Sequence, residues 1–136
     1  MKVSVIASVI GVCGLLATAV PVCASHFGGM EAYRQNDFKV AMREFKACEE
    51  EAKCSYMLGV MHERGEGIKA DYVEAAKLFK KGAEKDDPLS QYRLGRLYER
   101  GLGVDENEAE AIKLYKKSAR QNNPNAKQAL KRLENK

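Results

Sequence analysis

Cys48 and Cys54, with His26 and His62, are the side chains of this sequence best suited to covalent or metal chemistry. Cys48 and Cys54 stand six residues apart, and neither histidine lies at ligand-like spacing from them. A closed metal site needs about four ligands. No Ser/His/Asp or Cys/His set presents a nucleophile with its base. The carboxylates are plentiful, in Glu49-Glu50-Glu51, Asp86-Asp87 and Asp105 to Glu110, but they cluster where turns and helix caps are expected. There they complement helix dipoles. The GEG at 65–67 and the GLG at 101–103 are not phosphate loops, because each follows a helical pattern and lacks a third glycine. Neither an enzyme, a cofactor nor a metal is implied.

What the cysteines do depends on the compartment. Residues 1–24 carry one charge, Lys2, then an uncharged run from Val3 to Val20. Pro21 interrupts it, and Val22-Cys23-Ala24 puts small residues at −3 and −1 of a cut before Ser25. That layout predicts a secretory signal peptide; the alternative is an uncleaved membrane anchor. A lipoprotein anchor fits less well, since Val22 is not the small residue a lipobox places before its cysteine. Cleavage leaves residues 25–136, in the periplasm or outside the cell. Cys13 and Cys23 depart with the leader. The remaining even pair, Cys48 and Cys54, reads as a disulfide in an oxidising compartment. Two buried thiols, or half of a metal site, are the other readings. The formal charge of +4 falls to +3 with the loss of Lys2, too weak a surplus to argue for nucleic acid.

The elements that carry these residues are written twice. Leu58 to Pro88 aligns without a gap to Leu94 to Pro124, thirty-six residues later. Leu58/Leu94, Gly59/Gly95, Glu63/Glu99, Gly65/Gly101, Gly67/Gly103, Glu74/Glu110 and Leu78/Leu114 are among the identities. A fixed period of this length marks a solenoid. The pattern predicts a helix over 90–100, with Leu94, Leu97 and Tyr98 on one apolar face. Gly95 admits a neighbouring helix, and Gly101 and Gly103 end the helix. A second helix starts at Asn107, with Glu110 as its capping-box partner; Asp71 and Glu74 hold the same positions one unit earlier. One such pair cannot bury its own apolar face, so copies stack. Met30 to Cys48 reads as a shortened opening unit with core residues Tyr33, Phe38, Ala41 and Phe45. Pro124 to Leu133 reads as a lone capping helix, making about seven helices. A Cys48–Cys54 bridge would staple the opening unit to the next.

The motif L-G-x-φ-Y-x-x-G-x-G-V, an acidic cap and then E-A-x-K-φ-Y-x-K-x-A resembles the Sel-one-like repeat, a relative of the tetratricopeptide repeat. Residues 90–126 fit closely. The earlier copy departs at His62, where the family has tyrosine, as at Tyr98. The resemblance spans nearly all of 29–133. It implies an all-α, right-handed α/α superhelical solenoid of stacked helix-turn-helix units, used as a protein-interaction scaffold. The expected division is a signal peptide at 1–24, a partial unit at 25–53, full repeats at 54–89 and 90–125, and a capping helix at 126–136. The sequence Lys46-Ala47-Cys48 is also similar to a cysteine-rich secreted subgroup. Here the cysteine spacing is six rather than eight, and only one junction has the pair. Some secreted relatives bind or hydrolyse β-lactams, but no position here supports that role.

Identities between the copies build the scaffold, so an interaction surface is sought where the first helices differ: Met57/Arg93, Val60/Arg96 and His62/Tyr98. In such a superhelix the first helices line the concave side. Met57, Val60, Arg93 and Arg96 are therefore the expected groove residues for a peptide or helix of a partner. That partner would be another envelope protein, or, if the chain acts as an immunity protein, a toxin. From Lys113 onward eight Lys and Arg stand against Glu134 alone. This basic end reads as a soluble cap, with steering of an acidic protein partner or contact with anionic lipid headgroups the lesser alternatives.

Overall fold

Each stretch with apolar residues at helical spacing is a helix. The computed structural model describes residues 22–135. They form seven helices and no strand: α1 (Val22–Arg34), α2 (Phe38–Ala47), α3 (Ala52–Arg64), α4 (Tyr72–Glu84), α5 (Pro88–Arg100), α6 (Glu108–Arg120) and α7 (Pro124–Glu134). Sequential helices pack on one another to give an all-helical, tetratricopeptide-like solenoid. The expected leader lies outside the described residues except for Val22 to Ala24, which open α1. The expected cut before Ser25 therefore falls within that helix.

Side chains accept the first free amides of five helices. Asp71 accepts from the Glu74 amide at 3.0 Å, Asp87 from Ser90 at 2.7 Å and Asn107 from Glu110 at 3.0 Å. Asp37 and Asn123 open α2 and α7 in the same way. The expected capping box is only half formed. The backbone amides of Asp71 and Asn107 donate to the carbonyls of His62 (2.9 Å) and Tyr98 (2.8 Å) near the end of the preceding helix. Glu74 and Glu110 are thereby left to pair with Lys77 and Lys113. The long loop is thus tied to both helices it joins. Gly65 (φ 70°) and Gly101 (φ 62°) close α3 and α5 in the left-handed conformation that glycine adopts without strain.

The units lock through one ring each. A Cβ on Gly59 would stand 2.6 Å from the Phe79 ring, and one on Gly95 would stand 2.7 Å from Tyr115. Gly29 stands to Phe45 in the same way, at 2.5 Å. Phe45, Phe79 and Tyr115 are fully buried, and His26, Tyr56 and Tyr92 pack on them at centroid distances of 6.2, 6.0 and 5.7 Å. The pair α1–α2 is therefore a third copy of the unit. Its first helix is described from Val22 to Arg34. What is short is the connection, residues 35–37 against 65–71. The long loop of each later unit settles on the second helix of the unit before: a Cβ on Gly67 would lie 2.6 Å from the Phe38 Cβ.

Cys48 and Cys54 form a disulfide with Cα atoms 5.8 Å apart. Cys48 caps the end of α2 and Cys54 sits in the first turn of α3, both buried. At the other end, α7 lays Ala129, Leu130 and Leu133 against the Tyr115 cluster. Lys131 occupies the register that Gly95 holds in α5. The glycine that admits a ring in the earlier units therefore has no counterpart in α7.

Candidate functional site: a cleft between α5 and α7

The first helices of the units (α1, α3, α5 and α7) stand side by side, and a carboxylate recurs among them. Glu63 in α3 and Glu99 in α5 hold the same register, each near the end of its helix. Each meets a guanidinium from the next first helix. Arg93 donates to Glu63 at 2.8 Å, and Arg96 stands 4.0 Å away. Arg132, in the register of Arg96, donates to both oxygens of Glu99 at 2.7 and 2.8 Å. Glu63 and Glu99 are nearly buried, with side chains 12% and 11% exposed. Burial of a carboxylate is tolerated because charge-assisted hydrogen bonds compensate it.

Glu99 takes its further bond from the Tyr115 hydroxyl, which donates at 2.7 Å. Burial first, and the bond to the Glu99 carboxylate second, push the Tyr115 hydroxyl well above the usual tyrosine range. It stays protonated and serves as a fixed donor rather than a nucleophile. Phe79, its counterpart one unit earlier, has no hydroxyl. There Arg93 supplies the bond instead.

The two junctions differ in openness for a related reason. Ala129 stands where α5 has Arg93, and Gln128 where it has Tyr92. The smaller side chains leave a cleft of about 540 Å³ lined by Tyr92, Arg96, Glu99, Arg100, Gln128 and Arg132, with Asn125 and Ala129 on the α7 side. Arg100 is exposed.

The expected groove residues separate on this framework. Met57 (9% exposed) and Val60 (4%) lie in the core and line no surface. Arg93 is committed to Glu63, and Arg96 alone faces the cleft. Leu58, Gly59, Leu94 and Gly95 are buried and Tyr98 packs against the core. His62 is buried, with no hydrogen-bond partner on Nδ1 among the described residues. Sequence reasoning missed Glu63, Glu99, Tyr92 and Arg132. The Glu63/Glu99 identity was the available signal, and it was assigned to the scaffold. The basic tail does not form one surface. Arg132 faces the cleft, whereas Lys113, Lys116, Lys117 and Arg120 line the outer side of α6. Among the described residues no three His, Cys, Asp or Glu side chains converge as metal ligands, and no helix is long and apolar enough to cross a membrane.

Repeats joined through a buried glycine, a ring and a two-glycine loop define a helical interaction solenoid. The Sel1 repeat family matches residues 52–87 and 88–123. This chain belongs to that family, whose members generally mediate protein–protein interaction and are typically non-catalytic. The fold is similar to a Sel1 repeat protein of Oxalobacter formigenes (TM-score 0.74, 27% identity, covering 77% of this chain and 43% of that one). It is similar also to c5321, a protective antigen present in uropathogenic Escherichia coli strains and displaying an SLR fold (0.71, 28%, 75% and 23%). Cysteine rich protein B of Helicobacter pylori is matched over most of its length (0.68, 26%, 80% and 88%). The chain spans less than half of the first two structures. Comparison with curated proteins finds none that matches.

Proposed function

We propose that this chain is an exported, non-enzymatic adaptor that binds another envelope protein through the concave side of its stack. The observation that carries the reading is the cleft between α5 and α7, open and lined by guanidinium groups that internal carboxylates do not exhaust. The Cys48–Cys54 bridge supports an oxidising compartment, as does the leader-like composition of residues 1–24. The reading is tested by cross-linked co-purification of the tagged chain from the cell envelope, beside an Arg96→Gln/Arg100→Glu variant. Arg93 is left intact, because reversing it would set a second carboxylate against buried Glu63. One stoichiometric partner, lost in the variant, is the expected result. Recovery of no partner, or equal recovery by both chains, would overturn it.

A further inference from the structure

We infer that the cleft between α5 and α7 is a seat for an acidic, extended segment of the partner protein, an inference that rests on the adaptor reading above. Four charged side chains line the cleft, Arg96, Arg100 and Arg132 against Glu99, which is three positive against one negative and leaves a surplus of two. Glu99 is occupied by Arg132 and the Tyr115 hydroxyl. Arg96 reaches Glu63 only at 4.0 Å, and Arg100 is exposed at the mouth of the cleft. Two guanidinium groups are thus available to carboxylates from outside, in a recess where water screens them less than on an open surface. Arginine forks suit carboxylates in pairs. Tyr92 gives one wall a ring against which a segment's apolar carbons can lie, and Gln128 offers an amide to its backbone.

In the junction between α3 and α5, Arg93 fills the space that Ala129 leaves open. Ala129→Arg therefore restores a side chain that the scaffold already accommodates. It closes the cleft while adding a positive charge. Attraction by charge alone and seating in the cleft then predict opposite signs.

The probe is a fluorescein-labelled peptide of ten glutamates, titrated with the full chain and followed by anisotropy. Ten lysines serve as the control. The expected result is saturable binding of the glutamate peptide only, weakened about tenfold by Ala129→Arg and similarly by Arg100→Gln. Binding should be unchanged by Lys80→Ala and Lys116→Ala on the outer side. Equal or tighter binding by Ala129→Arg would overturn the inference, as would sensitivity to the outer lysines or no binding by the unaltered chain. If Ala129→Arg fails to fold, Arg100→Gln at an exposed position decides alone. A partner captured from the envelope while the glutamate peptide does not bind would sink this inference and leave the adaptor reading standing. Loss of both would sink the two together.

Discussion

Glu99 accepts hydrogen bonds from Arg132 and from Tyr115, and the bond from Tyr115 leaves a measurable trace. Tyr115 keeps its proton more tightly folded than unfolded, because ionising it would place a second negative charge beside Glu99 in a buried setting. A group whose pKa is raised on folding contributes stability that is full below its unfolded value and lost as pH climbs past it. Stability should therefore fall from about pH 10 upward, and Tyr115→Phe should flatten that decline in urea unfolding followed across pH. Gly95 gives a second prediction. Alanine favours helices over glycine by about 1 kcal/mol, yet a Cβ there would meet the Tyr115 ring at 2.7 Å. Overpacking costs about 1–3 kcal/mol, so Gly95→Ala should lower the denaturation midpoint despite the better propensity. The role of Gly95 was legible in the sequence. The burial of Met57 and Val60 was not. A first helix is wedged between its own second helix and the second helix of the unit before. A difference between copies at such a position marks a repacked core as readily as a binding face.

The opening pair of helices shows what spacing conveys and what it hides. The ring of Phe45 was readable as core, but its glycine partner, Gly29, was not, because α1 begins among residues that read as a leader. The shortened α1–α2 connection hid the kinship as well, since it omits the two-glycine loop that marks the other units. Where that connection is short, the next junction carries the disulfide. Cys48→Ser should lower thermal stability under oxidising conditions by roughly 2 kcal/mol, the chain-entropy value for so small a loop. Several degrees of melting temperature would register it. Under strong reductant the two chains should melt together; equal curves in oxidant would contradict a stabilising bridge. The caps offer a quieter test. Asp87 opens α5 through the Ser90 amide, and Asp87→Ala should cost about 1 kcal/mol in denaturant unfolding.

For the stack as a whole, stability is a sum over units and their interfaces, and the two sides of the molecule differ in chemistry. The second helices, α2, α4 and α6, turn exposed lysines outward: Lys46, Lys80 and Lys116 hold one register in three units. The first helices hold the buried Glu63 and Glu99 pairs, and their series ends in the cleft. The solenoid itself could be read from the thirty-six-residue period. The cleft could not, because it arises from what α7 lacks, a bulky side chain at Ala129 and an aromatic at Gln128, and only the stacked geometry turns those absences into a volume. Binding through this side makes a plain claim about which tyrosine a partner covers. Tyr92 lines the cleft, and Tyr72 lies beside the loop on another surface, 39% exposed. Hydroxyl-radical footprinting of the chain, free and cross-linked to a protein that co-purifies with it, compares the two directly. Protection of Tyr92 with Tyr72 unchanged is the predicted result; protection of Tyr72 with Tyr92 still reactive would contradict it.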